Sequence, residues 1–355
     1  MKGRIKRCQV KYSFIIEDML KEGIHCGMML GDKIVCNLEE LIMKYRMLGR
    51  TGLRVSLVSL GSGGPSRLGQ NTGVPEPESH RLLHTALDIG INLIDTASGY
   101  GQSEEILGRA LKTVDRNRYY IATKTRPVKD NRILTASKLT HQVETSLKRL
   151  QLETIDIFQF HGVQSNEYDG VRDSLVSTAQ KLKSQGKIRF IGITEMYFQD
   201  GDHQVLQRAV KDNLFDTVMV GYNLLNQTAE KTVFPLCDAH KVGVLIMIAV
   251  RRALSRVEVL EKTIADLKKK DVIPRDELPD KNPLGWLVKD GVESVTAAAY
   301  KFAAASKAVS TVITGTSKLS HLRSNVDAIL GPPLPSDDMA RLNGIFGHIS
   351  ESLGN

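Results

Sequence analysis

The feature that most constrains the fold is a unit repeated eight times, in which a short apolar strand is followed by an amphipathic helix. The predicted strands are residues 56–60, 91–95, 119–124, 155–160, 188–193, 217–220, 242–248 and 309–314. Strands that alternate with helices predict parallel βαβ units. Near-continuous apolar strands are typical of parallel sheets that are buried on both faces.

Eight such units favour a closed (β/α)8 TIM barrel, which uses roughly 250 residues or more as a single unit. An open, doubly wound sheet is the alternative, and a phosphate-binding Gly-x-Gly-x-x-Gly segment should then follow its first strand. Residues 61–64, Gly-Ser-Gly-Gly, are rich in glycine but lack that spacing. The barrel is therefore the predicted fold.

Three segments depart from the repeat. Residues 45–56 predict a β-hairpin that turns at Thr51 and Gly52. Residues 251–291 form a long loop after strand seven, either a lid over the site or a solvated insertion. Residues 1–42 show no strand and helix rhythm, which favours a disordered or loosely docked extension, or a native chain that begins at Met43. Residues 43–355 are predicted to be one barrel domain.

The composition narrows the class of protein. The net charge of +8 is spread along the chain, and no basic segment is interleaved with aromatic residues, so we expect no nucleic-acid partner. The four cysteines lack Cys-x-x-Cys or zinc-like spacing. We therefore expect no metal site and a reducing, cytoplasmic location. No apolar run approaches the roughly 20 residues of a membrane helix.

Four polar residues lie at or just after the ends of consecutive strands. Asp95 ends the second strand, Tyr100 lies in its loop, Lys124 ends the third strand and His161 follows the fourth. Catalytic groups of a barrel cluster at the carboxyl ends of its strands. We therefore expect these four side chains to meet at one mouth.

Their chemistry suits the reduction of a carbonyl group. A tyrosine can protonate the developing alkoxide, although its ordinary pKa is about 10. The Lys124 ammonium is expected to lower that pKa, Asp95 to keep Lys124 charged, and His161 to donate to the substrate oxygen. The hydride must come from a cofactor. A barrel lyase or aldolase, with Lys124 as a Schiff base and no cofactor, is the alternative.

The segment 95–104, Asp-Thr-Ala-Ser-Gly-Tyr-Gly-Gln-Ser-Glu, resembles the Asp-Thr-Ala-x-x-Tyr-Gly-x-Ser-Glu signature of aldo-keto reductases. Further likeness lies in residues 122–124, 186–192 and 313–317, and it extends over about residues 45–345. The resemblance implies that the catalytic Asp-Tyr-Lys-His tetrad of the family corresponds to the four residues named above. It also implies a nicotinamide cofactor.

On the cofactor side the resemblance is weaker. The Ser-Asn pair that contacts the nicotinamide carboxamide in the family appears here as Thr194 and Glu195, and the glutamine of strand six appears as Met219. The aromatic residue that stacks on the nicotinamide after strand seven is absent from residues 246–251. The segment that binds the cofactor phosphates in the family corresponds to Gly315, Thr316, Ser317, His321 and Asn325. Its helix N-terminus suits an anion.

The resemblance therefore implies an NAD(P)-dependent oxidoreductase that acts on a small aldehyde, ketone or sugar. Ser317 or Lys318, with Arg251 or Arg252, favours NADP over NAD. Because some family members modulate channels, a cofactor-binding regulatory subunit without turnover is a further alternative. The pattern does not predict the substrate, the direction of the reaction or the oligomeric state.

Overall fold

The computed structural model describes residues 42–353, which contain twelve β-strands and twelve α-helices. In chain order, β1 to β12 are Tyr45–Met47, Arg54–Ser56, Val58–Gly61, Leu93–Asp95, Tyr120–Thr125, Val128–Lys129, Arg132–Ile133, Ile155–Val163, Ile188–Glu195, Thr217–Gly221, Gly243–Met247 and Thr311–Thr314. The helices α1 to α12 are Glu76–Asp88, Ser103–Leu111, Ala136–Leu150, Tyr168–Ser184, Gln204–Lys211, Ala229–Thr232, Phe234–His240, Arg252–Ser255, Val257–Lys269, Val295–Ala305, Leu319–Leu330 and Ser336–Phe346.

Eight of these strands close into a parallel barrel, in the order β3, β4, β5, β8, β9, β10, β11 and β12, with β12 pairing back to β3. Each strand hydrogen-bonds to its neighbours in sequence, and helices lie in the connections. The predicted (β/α)8 barrel is confirmed, and the open sheet is excluded. All eight carboxyl ends open at one face, where the candidate site lies.

The predicted hairpin is also present, because β1 and β2 pair in antiparallel fashion and Gly52 adopts a left-handed φ of 72° at the turn. Its buried residues Leu48, Leu53 and Val55 pack with apolar side chains that point into the barrel, such as Leu93 and Ile157. The hairpin therefore closes the end of the barrel that carries the strand N-termini.

Several boundaries differ from the prediction. Strand β8 runs on to Val163 and β9 to Glu195, so His161 and Glu195 lie within strands rather than after them. The predicted helix 229–240 is divided at Val233, because Pro235 lacks the N–H that a continuous helix would need. The small hairpin of β6 and β7 and the final helix α12 were not predicted.

The segment 251–291 is packed against the barrel, so its interpretation as a solvated insertion is wrong. Within it, α9 buries Leu260, Ile264 and Leu267 in the main hydrophobic core. The Lys268 ammonium donates to the Leu278 carbonyl and, at 2.7 Å, to the Asp280 carboxylate. These contacts fold the segment back on itself as a structured part of the domain.

The predicted N-terminal extension lies, apart from residue 42, outside the described residues. Ile42 is exposed, whereas Met43 is buried and belongs to the main core. Within residues 42–353, no helix is both long enough and apolar enough to cross a membrane.

Candidate active site

The barrel interior brings the acidic and basic members of the predicted tetrad together. Asp95 is the last residue of β4, and Lys124 lies near the end of β5, where both side chains are almost fully buried. The Lys124 ammonium donates to both carboxylate oxygens of Asp95 at 2.6 Å and to the carbonyl oxygen of Thr96 at 2.8 Å. The role of Thr96 comes from its backbone, so the residue type carried no signal of it.

Tyr100 lies between this ion pair and His161. The Lys124 ammonium is 5.2 Å from the centroid of the Tyr100 ring, and the His161 ring packs edge-on at 5.7 Å between centroids. A Cβ on Gly63 would come within 2.4 Å of the Tyr100 ring. Gly63 is therefore required for the tyrosine to occupy the mouth, a role that the glycine-rich segment alone did not reveal.

The ammonium of Lys124 stays charged in this setting. Burial alone lowers the pKa of Lys124, but the charges of Asp95 and of a Tyr100 phenolate outweigh it and raise the pKa above its ordinary value. An amine that forms a Schiff base must be unprotonated to attack a carbonyl. The geometry therefore disfavours the lyase alternative.

The Lys124 ammonium acts to lower the pKa of Tyr100, as expected, but it does not set the net direction of the shift. Burial raises the pKa of the phenol above its ordinary value, and Lys124 only partly opposes that shift. The reason is that desolvation penalises the phenolate more than one ammonium, already engaged with Asp95, can stabilise it. At neutral pH the phenol is therefore protonated, which is the form that a proton donor needs.

His161 is neutral at physiological pH. Burial, reinforced by the positive charges of Lys124 and Arg126, lowers its pKa to about 3. A neutral imidazole carries one N–H and can donate one hydrogen bond to a substrate oxygen without competing as an acid. The neutral imidazole of His161 and the protonated phenol of Tyr100 therefore present two separate donor groups, an N–H and an O–H.

The last residue of the 95–104 motif supports the site from outside the barrel. Glu104, on α2, accepts a hydrogen bond of 2.7 Å from the hydroxyl of Thr123, the neighbour of Lys124 on β5. Arg149 lies 3.4 Å from the second oxygen of the same carboxylate. Sequence analysis had given Glu104 no role; its position fixes α2 against β5.

The three predicted nicotinamide contacts, Thr194, Glu195 and Met219, lie in different settings. The Thr194 hydroxyl accepts a hydrogen bond of 2.7 Å from the Gly162 N–H and keeps its own proton to donate. Met219 packs with Leu93, Ile157 and the hairpin inside the barrel. A thioether in that position offers no donor to a carboxamide.

Glu195 is turned away from the mouth into a buried ion pair. Its carboxylate oxygens lie 2.9 and 3.0 Å from His203 Nδ1, and one of them accepts a hydrogen bond of 2.8 Å from the Gly221 N–H. The second ring nitrogen of His203 lies 3.1 Å from the Thr228 hydroxyl. His203 precedes α5 in a left-handed conformation, and no spacing rule pointed to it.

The residues at the predicted phosphate end fit an anionic group. No side chain caps the N-terminus of α11, so its first backbone N–H groups have no side-chain acceptor there. Gly315 and His321 are exposed, while Thr316 is buried and accepts from the Lys318 N–H at 3.1 Å. Ser317 accepts from Thr72 at 3.3 Å.

Asn325 differs from this group, because its amide donates to Thr314 at 2.6 Å. This bond ties α11 to the end of β12.

Comparison with known proteins agrees with this geometry. A sequence model of the Aldo/keto reductase family matches residues 59–346, which include the whole barrel mouth. The chain belongs to the aldo/keto reductase family. As a member, it is a nicotinamide-dependent oxidoreductase, and the resemblance predicted from the 95–104 motif is confirmed.

Individual relatives show how far the likeness extends. L-galactose dehydrogenase of Arabidopsis thaliana is 30% identical over 81% of this aldo/keto reductase and 88% of its own length. The NADH-specific methylglyoxal reductase of Escherichia coli (strain K12) is 30% identical over 58% of this chain and 66% of its own. The holo form of aldo-keto reductase AKR11C1 from Bacillus halodurans has a TM-score of 0.64 at 25% identity, covering 85% and 96% of the two chains.

Proposed function

We propose that this aldo/keto reductase reduces the carbonyl group of a small aldehyde, ketone or sugar, with Tyr100 as the general acid. The observation that supports this proposal most directly is the meeting of Tyr100, His161 and Lys124 at the open end of the barrel. When bound, a nicotinamide cofactor supplies the hydride, which no side chain can provide.

In the proposed mechanism the chain's own residues position the carbonyl and move one proton. The neutral His161 N–H and the Tyr100 hydroxyl both donate to the carbonyl oxygen. As the alkoxide develops, Tyr100 gives up its proton to that oxygen, and the adjacent Lys124 ammonium stabilises the phenolate that remains. Asp95 holds Lys124 in place through both carboxylate oxygens.

The proposed cofactor is NADP(H) rather than NAD(H). The uncapped N-terminus of α11 would hold phosphate groups, and the exposed cations Lys318 and Arg252 would favour an additional 2′-phosphate. The Thr194 hydroxyl would bind the carboxamide. We also propose a cytoplasmic location, which the lack of disulfide-like cysteine spacing supports.

A second candidate is a regulatory subunit that binds cofactor without turnover. The observation in its favour is the engagement of Glu195 with His203, which removes a family contact to the nicotinamide. The complete set of Asp95, Lys124, Tyr100 and His161 argues against it. Titration with NADPH by fluorescence, followed by an assay with aldehydes, distinguishes binding alone from catalysis.

Tyr100→Phe tests the proposed proton donor. The change keeps the ring but removes the acid, so carbonyl reduction should fall by about 10²-fold or more. Affinity for NADPH should change little, because the phosphate end lies beyond β12. Tyr45→Phe is the matched control, since the Tyr45 hydroxyl bonds the Gly90 carbonyl at the closed end of the barrel. Reduction by Tyr100→Phe at nearly the parental rate would show that the proton donor is misassigned.

A further inference from the structure

Two arginines lie in loops at the carboxyl end of the barrel, where Tyr100 also lies. Arg67 lies in the loop after β3, and its Nη1 atom is 3.9 Å from the position that a Cβ on Gly101 would take. Arg251 lies in the loop after β11, with its guanidinium carbon 4.9 Å from the centroid of the Phe198 ring. Neither residue has a role in the proton transfer proposed above.

The backbone that presents Arg67 is held in an unusual conformation. Arg67 and Leu68 have φ values of 45° and 53°, a region that residues with a Cβ rarely adopt. The Ser79 hydroxyl donates to the Leu68 carbonyl, and the Gln70 amide donates to the Arg67 carbonyl at 2.9 Å. Leu68 is itself buried in the core. Such conformations persist where the surroundings determine them, and they cluster at ligand-binding sites.

The same loop is bonded directly to the segment that carries the phenol. The Gln70 amide donates to the Tyr100 carbonyl at 3.3 Å, and its oxygen accepts from the Gln102 N–H at 2.9 Å. Arg67 and Tyr100 therefore belong to one connected unit. These bonds fix the backbone of Arg67 relative to that of Tyr100.

Several charged side chains lie at this end of the barrel. Three carboxylates at this end of the barrel are each paired with another cation: Asp95 with Lys124, Glu167 with Arg126, and Glu195 with His203. Burial, with the charge of Arg252, lowers the pKa of Arg251, and a Tyr100 phenolate opposes that shift. Arg67 acts to lower the pKa of Tyr100, although burial prevails. Arg67 and Arg251 thus lie in loops at the same end of the barrel as the reacting hydroxyl.

We propose that this mouth selects carbonyl substrates that carry a carboxylate, which Arg67 and Arg251 bind while Tyr100 and His161 face the carbonyl. The inference rests on the proposed function, because it names the class of substrate for that site. A guanidinium suits a carboxylate, since its planar N–H groups can bond both oxygens.

The test compares two aldehydes of similar size, 4-carboxybenzaldehyde and 4-nitrobenzaldehyde, with NADPH as the cofactor. The parental enzyme should have the higher kcat/KM for the carboxylate. In Arg67→Met and in Arg251→Met the ratio of kcat/KM for the two aldehydes should fall about tenfold or more, the effect of losing a hydrogen bond to a charged group. Arg54→Met, in the hairpin at the closed end, is the control and should keep the parental ratio.

Binding to the NADP⁺ complex keeps this test independent of turnover. Calorimetry should show that benzoate binds the parental complex more tightly than benzyl alcohol does, and about tenfold more weakly in each methionine variant. If neither aldehyde is reduced but benzoate behaves in this way, the proposed function fails while the carboxylate site stands. A parental preference for the neutral aldehyde, or an unchanged ratio in both variants, would overturn the inference.

The alternative is that the same two arginines bind a phosphate of the cofactor, and the affinity for NADPH distinguishes that role from binding of a substrate carboxylate. In that case both methionine variants would bind NADPH several-fold more weakly, and kcat/KM would fall equally for the two aldehydes. That result would also overturn the carboxylate inference.

Discussion

Replacing Lys124 with methionine separates the structural and chemical roles of the buried ion pair. The change removes the ammonium that contacts Asp95, whose two oxygens both lie 2.6 Å from it and whose side chain is 5% exposed. Breaking one partner of a buried pair costs about 3–5 kcal/mol, since an unpaired charge remains. That is a large part of a typical unfolding free energy of about 5–15 kcal/mol.

The pH dependence of this loss has a definite sign. Burial raises the pKa of Asp95 and Lys124 opposes that shift, so removing Lys124 leaves the carboxyl with a still higher pKa. A carboxyl whose pKa is raised in the folded state contributes stability at low pH and loses it as the pH rises. The deficit of Lys124→Met relative to the parent should therefore be largest near pH 7 and shrink towards pH 5.

Chemical unfolding followed by circular dichroism measures both effects. Lys262→Met is the control, because Lys262 pairs with Asp266 on the exposed face of α9 and should cost less than about 1 kcal/mol. The double variant Asp95→Asn with Lys124→Met removes both charges and should recover at least half of the loss. A deficit below about 1 kcal/mol at pH 7, or no recovery in the double variant, would refute the assignment of an ion pair.

Activity provides an independent readout of the same residue. Lys124→Met should slow carbonyl reduction about as much as Tyr100→Phe does, since both changes act on one proton transfer. Residues that act as a unit give non-additive losses. The variant that carries both changes should therefore be no slower than the worse single variant, by steady-state kinetics at saturating NADPH.

Three further predictions concern the pH dependence of reduction, the buried Glu195 and the N-terminal residues. Since burial lowers the pKa of His161 to about 3 and holds that of Tyr100 above its ordinary value, kcat/KM for reduction should be flat from about pH 6 to 9; a step near 6.5 would contradict a neutral His161. Glu195→Gln should lower the unfolding free energy by about 3 kcal/mol or more, whereas Glu144→Gln, at an exposed pair, should change it by less than about 1 kcal/mol; equal effects would show that the buried pair is unimportant. A chain that begins at residue 43 should keep the melting temperature and activity of the full chain, and a large loss of either would show that the leader contributes to the barrel.

The fold could be predicted because the sequence repeats a strand and a helix eight times. Alternating strands and helices require a parallel sheet, and eight units close it. The final helix α12 was missed because it follows the eighth unit and no strand accompanies it. The strand ends were predicted within a few residues, yet β8 and β9 run two or three residues further than their apolar cores.

The catalytic side of the site was easier to predict than its electrostatics. Asp95 and Lys124 were placed together because parallel strands end at one face. The net direction of the Tyr100 pKa could not be obtained in this way, since it depends on how deeply Gly63 and the following loop bury the phenol. Burial of a loop residue arises from packing between distant segments, which a local pattern does not contain.

The departure at position 195 shows how a family contact can be lost without leaving an unsatisfied charge. A carboxylate placed beside β10 would be costly if it were buried alone. Here His203 Nδ1 faces both oxygens of Glu195, and the Gly221 N–H donates a further hydrogen bond. These contacts oppose the cost of burying the carboxylate, although burial still raises the pKa of Glu195. The substitution Glu195→Asn, which restores the asparagine expected from the family resemblance, would therefore remove the carboxylate partner of His203 as well as supply an amide for the nicotinamide. Because Glu195 and His203 depend on each other, we expect that a variant with improved cofactor binding would need substitutions at both positions.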